Sequence, residues 1–244
     1  MKIKRVLLIL CLFSTGIVRA QNWGGGVDDS NIHFGFIFQY VSSEYKILKN
    51  ENWRSEPFID EDNPALIPSR LRSISAVPSA GFGIGFVVNK RINDNSDLRF
   101  TPTLVFNDRI LSYQYDESNE NIEKKTQSTL VEFPLGIKIK SDRRNNFRAY
   151  LLGGAKFSTD ISSKKKTNNE LITDPTEKFI NNKRNYLSYE AGLGFDLYFE
   201  YFKMSPELKL SYSLKNILRD EPHRYAAPLD KLMLRHVTFS LFFE

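Results

Sequence analysis

Apolar and polar residues alternate along eight stretches of the chain. Their approximate extents are residues 31–43, 77–89, 97–107, 131–139, 147–158, 187–199, 203–215 and 236–243. Successive side chains of a β-strand point to opposite faces, so this period of two predicts eight β-strands, each with one apolar and one polar face. Most of the stretches exceed the ~5–6 residues of an average strand and can cross a bilayer at a tilt.

The connections between the predicted strands alternate in length. After the second, fourth and sixth strands they are short: residues 90–96, 141–146 and 200–202. After the first, third, fifth and seventh strands they are longer and polar: residues 44–76, 116–123, 161–184 and 216–231. Outer-membrane barrels have short turns on the periplasmic side and long loops outside. The sequence therefore predicts an all-β fold, an eight-stranded antiparallel transmembrane β-barrel with short periplasmic turns and long extracellular loops.

The side-chain sizes on the two faces favour a membrane barrel over a soluble one. In the second strand, Phe82, Ile84 and Phe86 alternate with three glycines. Small residues suit the crowded concave interior of a small barrel, and bulky apolar residues suit the wide convex surface. A soluble barrel, the structural alternative, would carry its large apolar side chains inward. We therefore expect the apolar face to contact outer membrane lipid.

The beginning of the chain predicts a secretory signal peptide. Three basic residues precede the apolar run 6–13, and the small side chains of Val18 and Ala20 prepare a cleavage before Gln21. The apolar run is much shorter than the ~20 residues that a membrane-spanning helix needs. We expect residues 1–20 to be removed on export and residues 21–244 to form a single outer-membrane barrel domain.

Removal of the signal peptide changes the charge and the cysteine content. The whole chain has 34 basic and 29 acidic residues, and four of the basic residues lie in the signal, which leaves 30 against 29. This balance gives no argument for a nucleic-acid partner. The single cysteine, Cys11, also leaves with the signal. The exported chain therefore has no thiol for a disulfide, a metal site or a nucleophile.

Charged residues occur on the predicted inward face, where side chains fill an eight-stranded barrel and leave no aqueous pore. The predicted interior charge network consists of Arg99, Glu132, Lys138, Arg148, Lys156, Glu190, Asp196, Glu207 and Lys209. Folding the chain about residues 141–146 places Glu132 level with Lys156. Folding it about residues 200–202 places Asp196 beside Glu207. Paired carboxylates can serve as acid and base, but in a filled lumen we expect these charges to neutralise one another as structure.

The sequence predicts no catalytic, cofactor-binding or metal-binding residues. The three histidines, His33, His223 and His236, fall in different parts of the predicted barrel and do not converge on a serine or a carboxylate. No phosphate-binding loop, nucleophile elbow or zinc-binding HExxH motif occurs. A separate set of aromatic residues near predicted strand ends predicts a membrane-interface girdle. It consists of Tyr40, Tyr113, Tyr186, Tyr198 and Tyr201.

Several local motifs together resemble one protein family. They are Trp23-Gly-Gly-Gly-Val-Asp-Asp-Ser, Phe34-Gly-Phe, Asp97-Leu-Arg-Phe, Glu132-Phe-Pro-Leu, Asn145-Asn-Phe-Arg-Ala-Tyr-Leu-Leu-Gly-Gly and Phe202-Lys-Met-Ser-Pro-Glu-Leu-Lys-Leu-Ser. In this order they resemble the PorT family, also called SprT, of the type IX secretion system of Bacteroidota. The resemblance runs from Trp23 to Glu244, and the last motif is the most specific.

The resemblance implies a non-enzymatic outer-membrane component. Such a component is required for export of proteins with type IX C-terminal signals and, in gliding species, for gliding motility. Its expected partners are other type IX outer-membrane proteins and cargo. The alternatives are an adhesin or small-solute channel barrel and a lipid-modifying outer-membrane enzyme. A lipid-modifying enzyme would need a serine, a histidine and an acid facing the lipid near the rim.

Overall fold

The computed structural model describes residues 30–54, 71–116, 121–162, 169, 172, 174 and 177–244. The predicted signal peptide, the cleavage point before Gln21 and the motif that begins at Trp23 lie outside these residues, apart from Ser30 at the end of that motif. Among the described residues, no helix is long and apolar enough to span a membrane.

The described residues form ten β-strands. These are β1 (Ile32–Lys49), β2 (Leu71–Val77), β3 (Ser79–Asn93), β4 (Ser96–Phe100), β5 (Thr103–Tyr115), β6 (Asn121–Lys140), β7 (Phe147–Asp160), β8 (Asn185–Tyr198), β9 (Lys203–Ser213) and β10 (Leu229–Phe243). Only Pro78 separates β2 from β3, and only Thr101 and Pro102 separate β4 from β5. Proline has no N–H for the ladder, which explains the two breaks. The ten strands therefore build eight barrel walls, as predicted.

The sheet closes into a ring. Its hydrogen-bonded order runs from β1 through β10, β9, β8, β7 and β6 to the β4–β5 wall and the β2–β3 wall. The first and last strands, β1 and β10, pair from Phe36↔Phe243 to Lys49↔Leu229, and β1 pairs with β3 on its other side. All of these pairings are antiparallel. Closure satisfies the backbone groups that could not remain unpaired in lipid.

The two faces of the wall differ as the alternation predicts. Bulky apolar side chains point outward and are exposed, with Phe34 at 71% and Phe86 at 69%. Polar and charged side chains on the same strands point inward and are buried, as Lys138 and Ser158 show at 0%. An apolar outer surface around a polar interior is the reverse of a soluble barrel and matches a membrane barrel.

Ion pairs on the outer surface mark the extracellular border of the apolar belt. Arg235 of β10 pairs with Glu44 of β1, and Lys125 of β6 lies 2.7 Å from Asp108 of β5. Beyond this border β1, β5 and β6 continue for several residues and β2 joins them. The strands thus extend past the belt into the predicted first and second loops, because inward apolar residues there pack into a core of their own.

The tyrosine girdle is only partly as predicted. Tyr40 and Tyr201 are exposed, at 54% and 84%. Tyr113, Tyr186 and Tyr198 lie on the inward face and are buried, so they belong to the interior and not to a girdle. Successive side chains of a strand alternate between the lipid and the interior face, so a tyrosine near a strand end can point either way.

Candidate functional site in the closed interior

The interior contains a balanced set of buried charges. The described residues include seven buried cations, namely Arg99, Arg109, Lys138, Lys140, Lys156, Lys203 and Lys209. They also include seven buried carboxylates, namely Asp97, Glu132, Asp160, Glu190, Asp196, Glu207 and Glu244, the side chain of the last being 0% exposed. Ionised groups can remain in a low-dielectric interior when they are paired in this way.

Arg99 is the centre of the periplasmic half of this network. Its Nη1 donates to Glu207 Oε2 at 2.8 Å, and its Nε donates to Asn89 Oδ1 at 2.8 Å. Its Nη2 lies 3.5 Å from Glu244 Oε1, and Lys203 also pairs with Glu244. The guanidinium lies 4.4 Å from the ring centre of Phe242. Arg99 thus joins β4 to the β9 and β10 walls across the lumen.

Two further ion pairs complete this periplasmic group. Lys138 Nζ donates to both carboxylate oxygens of Asp196 at 2.7 Å, and Ser205 Oγ donates to Asp196 Oδ1 at 2.6 Å. Lys140 Nζ lies 2.6 Å from Asp97 Oδ1. These short, charge-assisted contacts link the β4, β6, β8 and β9 walls.

A second group lies in the middle of the barrel. Lys156 Nζ donates to Glu132 Oε1 at 2.8 Å and lies 3.4 Å from His236 Nδ1. Glu190 Oε2 lies 3.3 Å from Lys209 Nζ. Seven buried or half-buried serines face the same space, and small side chains of this kind leave room between the larger ones. They are Ser43, Ser79, Ser128, Ser158, Ser188, Ser211 and Ser213.

The structure places all nine residues of the predicted network on the inward face. Eight of them are buried, and Arg148, near the periplasmic end of β7, is half-buried. Glu132 and Lys156 form an ion pair, but two of the predicted registers are wrong. Glu132 stands opposite Ser158, with which it also shares a hydrogen bond of 3.3 Å, and Lys156 stands opposite Pro134. Glu207 stands opposite Gly194 and not beside Asp196.

Both errors come from the position of the turn tip. In the β6–β7 connection, Arg144 and Phe147 exchange backbone hydrogen bonds of 2.9 and 3.0 Å around Asn145 and Asn146. Asn145 has a positive φ of 52°, a conformation that asparagine tolerates in tight turns. The tip therefore lies one to two residues later than the centre of the polar segment, which shifts the pairing. In the β8–β9 connection the turn begins at Phe199, one residue earlier than expected.

Sequence reasoning missed six members of the network, one of which is Asp160 at the end of β7. Asp97 and Lys140 lie at strand ends beside the first and second turns, and Lys203 begins β9. Glu244 follows the last predicted strand, and Arg109 lies beyond the end of the predicted third strand. The period of two could have identified three of them. Asp97, Lys140 and Lys203 each lie an even number of residues from a predicted network member on the same strand.

An extracellular lid closes the outer mouth. We define it as the described residues of the β7–β8 loop (161–184) and the β9–β10 loop (214–228). Asn182 and Leu218 form a β-bridge, Lys183 N–H donates to Ile217 O at 2.7 Å, and Arg219 N–H donates to Asn181 O at 3.0 Å. The two loops thus form a short ladder with each other.

Glu221 holds the lid together. Its carboxylate accepts hydrogen bonds from Asn181, at 3.0 and 3.1 Å, and from Asn169. Arg219 Nε and His223 Nε2 lie 3.4 and 3.6 Å from it. Burial lowers the pKa of His223 below its ordinary value of 6.5 more than the nearby Glu221 carboxylate raises it. His223 is therefore a neutral imidazole in the closed lid at neutral pH.

Under the lid lies an apolar cluster. Ile180, Ile217 and Tyr225 of the lid pack with inward residues of the extended strands, such as Leu111 and Tyr113. Tyr113 Oη donates to Tyr225 O at 2.8 Å, and the two rings meet edge to face at 5.3 Å. The extracellular half of the lumen is therefore a packed core and not an opening.

The three histidines lie in separate parts of the barrel. His33 lies at the periplasmic end of β1, His223 in the lid and His236 inside the barrel, so the three stay apart as expected. His236 lies 3.8 Å from Glu132 but faces the lumen, away from lipid. Within the described ranges, no group of three or more His, Cys, Asp or Glu side chains could hold a metal ion.

Comparisons with known proteins agree with this architecture. A family model described as "Outer membrane protein beta-barrel domain" matches residues 29–219. No curated protein matches the chain.

Similar solved structures are also outer-membrane proteins. Neisserial surface protein A has 8% identity and a TM-score of 0.41, and the match covers 87% of this chain and 98% of that one. The attachment invasion locus protein Ail of Yersinia pestis, solved with a heparin analogue, has 12% identity and a TM-score of 0.36 over 86% and 96%. The outer membrane protease OmpT of Escherichia coli has 11% identity and a TM-score of 0.34 over 88% and 95%. Similarities this low carry no argument about activity.

Proposed function

Because the chain belongs to the family of outer membrane protein β-barrel domains, we propose that it serves type IX secretion as a non-enzymatic outer-membrane component. In this role it is required for export of proteins with type IX C-terminal signals and, in gliding species, for gliding motility. Its partners are other type IX outer-membrane proteins and cargo. The observation that carries the proposal is the resemblance to the PorT family from Trp23 to Glu244.

The most specific motif of that resemblance supports a structural role for the barrel. In the segment that begins at Phe202, every second residue points inward and contacts a partner on another strand or beyond β10. Lys203 pairs with Glu244, Ser205 donates to Asp196, Glu207 pairs with Arg99 and Lys209 pairs with Glu190. These contacts support a role of the motif in maintaining a closed barrel.

A barrel filled in this way supports work at its ends and not transport of folded cargo through its lumen. At the periplasmic end, Asn95 of the first turn donates to Asp142 of the second at 3.2 Å, and Arg143 lies 3.9 Å from the ring centre of Tyr198. Tyr201, 84% exposed, stands at the third turn. Rigid turns with exposed aromatic and basic groups suit contact with a protein partner.

Gene deletion tests the role in secretion. We expect proteins with type IX C-terminal signals to disappear from the cell surface and to return when the gene is restored. Normal surface display of these proteins in the deletion strain would overturn the proposal.

Two further experiments separate the alternatives. Co-purification from native outer membranes should recover type IX barrels, whereas an adhesin or a solute channel would be recovered without them. His236→Ala should leave secretion unchanged if no lipid-modifying chemistry takes place. Loss of secretion by a correctly folded His236→Ala variant would reopen the enzymatic alternative.

A further inference from the structure

Arg109 differs from every other buried cation of the described chain. The other six lie in ion pairs with buried carboxylates. Arg109 is 2% exposed, and no carboxylate of the described residues lies within 4.0 Å of it. Its hydrogen-bond partner is a neutral group, Tyr186 Oη, at 3.2 Å from Nη2, and the hydroxyl of Tyr45 is a second neutral neighbour. A buried guanidinium without a counterion is strongly unfavourable.

The remaining donors of Arg109 are also unused. Its Nε and Nη1 are buried without a hydrogen-bond partner. Asn107, two residues earlier on the same inward face of β5, is 5% exposed, and neither its Nδ2 nor its Oδ1 has a partner. Buried polar atoms in native proteins are satisfied by protein, water or a bound ion. Four such atoms on two neighbouring residues therefore indicate water or a bound ion at this point of the lumen.

The β1–β10 side of the barrel contributes two more donors. Ser43 and His236 are cross-strand partners, and Ser43 Oγ and His236 Nε2 are both buried without a partner. His236 Nδ1 faces the Lys156 ammonium at 3.4 Å, and an ammonium can only donate. The ring proton of the neutral imidazole therefore lies on Nε2, which makes that atom a donor.

A glycine brings these two sides of the barrel close together. Between β1 and β5 stands β3, where Gly81 pairs with Val41. A Cβ atom on Gly81 would lie 2.6 Å from Asn107 Cβ, so Asn107 fills the space that a side chain of β3 would take. One strand thus separates Asn107 and Arg109 from Ser43 and the adjacent His236, and the β3 partner of Ser43 is the small residue Ser79.

Donors outnumber acceptors among these atoms. Arg109, Asn107, His236 and Ser43 offer N–H or O–H groups, whereas the acceptors without a partner are Asn107 Oδ1 and Ser43 Oγ. The seventh buried carboxylate, Asp160, lies more than 4.0 Å from Arg109 and acts on it only at longer range. Its oxygens accept from Ser128 Oγ at 2.8 Å and Ser162 N–H at 2.9 Å. The complement of such a set is a small ligand with several accepting oxygens and a negative charge.

We propose that Arg109, Asn107, Ser43 and His236 form a binding site for a small oxyanion beneath the extracellular lid. The guanidinium supplies the counter-charge, and the amide, hydroxyl and imidazole groups fix the oxygens. The apolar cluster of Leu111 and Tyr113 lies between this site and the outside. Exchange of the anion therefore requires the lid to open. The site stands independently of the role in secretion.

Anion-dependent stability tests the site. The refolded full-length barrel would be heated in detergent with inorganic phosphate, with acetate, and with sodium chloride at matched ionic strength. We expect phosphate or acetate to raise the unfolding temperature in a saturable manner beyond the chloride control. The more effective of the two identifies a phosphate-type or a carboxylate-type ligand. No effect beyond chloride would overturn the proposal and leave Arg109 hydrated by water only.

Variants tie the effect to the site. Arg109→Met should abolish the saturable effect, because the anion loses its counter-charge. Asn107→Leu retains the guanidinium and should weaken the apparent affinity by about tenfold. Lys231→Met, at an exposed side chain, is the control and should leave the effect unchanged. An equal anion effect in Arg109→Met would refute the assignment.

Discussion

At the scale of single residues, burial decides how much each charge contributes. The Lys125–Asp108 pair on the outer surface has side chains that are 53% and 30% exposed, so water screens it. Pairs of this kind contribute about 0–1 kcal/mol. Arg99 and Glu207 are 2% and 0% exposed at a similar distance. Removal of one partner there leaves a charge without compensation in the interior.

Arg99→Met should therefore destabilise the barrel by roughly 3–5 kcal/mol. The substitution leaves the Glu207 carboxylate without its cation, and Glu244 retains its pair with Lys203 and its hydrogen bond from Asn89. Urea unfolding of the refolded protein in lipid vesicles measures the change. Lys125→Met is the matched control, with an expected change within about 0.5 kcal/mol. Similar losses for both variants would show that burial does not set these contributions.

His223 predicts acid sensitivity of the lid. Its folded pKa lies below the ordinary 6.5, so the unfolded loop binds a proton more readily than the closed lid does. The contribution of neutral His223 is therefore complete above pH 6.5 and is lost as the pH falls through the folded pKa. Protection factors for hydrogen exchange at the β7–β8 and β9–β10 loops should therefore fall in that window, after correction for the intrinsic exchange rate at each pH. His223→Phe should remove the effect, whereas His33→Gln, at the other end of the barrel, should retain it.

At the scale of elements, each strand has one apolar face toward lipid and one polar face toward the barrel interior. In β8, Leu193 faces lipid between Leu151 of β7 and Leu208 of β9, while Glu190 and Asp196 of the same strand are buried inside. The alternation of apolar and polar residues is therefore sufficient to predict the strands and their faces from the sequence.

Leu193→Arg should destabilise the protein by about 2–4 kcal/mol, because the guanidinium would lie in the middle of the apolar belt. Gln127→Arg, on the exposed outer face of β6 near the extracellular border, should change stability by about 0–1 kcal/mol. Equilibrium unfolding from bilayers compares the two variants. Equal effects would place Leu193 outside the lipid.

The elements that the sequence did not predict depend on contacts between strands. The tip at Asn145 and Asn146 is set by the backbone bonds of Arg144 and Phe147. Polar loop residues look alike around such a tip, so its centre could not be located from composition. The extension of β1 through Tyr45 depends on the apolar cluster under the lid, which forms only when distant loops converge. Whether a carboxylate lies within 4.0 Å of the Arg109 guanidinium likewise depends on the strand register and on the side-chain rotamer.

At the scale of the whole molecule, the lumen is blocked at two levels. Salt bridges around Arg99 cross the periplasmic half, and the lid with its apolar cluster closes the extracellular half. The inward residues between them are also buried. Eight strands leave space for side chains and not for a water-filled channel.

The purified barrel should therefore show no steady conductance above the bilayer baseline in planar lipid bilayers. Heat-modifiable migration on electrophoresis would confirm that the same preparation is folded. A stable open-channel current from folded protein would contradict a blocked lumen and would favour the small-solute channel.

The ion partners of Arg99 have a consequence for how the barrel assembles. Arg99 belongs to the third wall from the beginning of the chain, and its carboxylates come from β9 and from Glu244, just after β10. β10 is also the strand that joins β1 to close the ring. In a partly inserted sheet Arg99 would not yet have its carboxylate partners. An unpaired charge of this kind disfavours transfer from the water interface into lipid. Insertion and closure should then occur as one concerted event, completed when the last strand arrives.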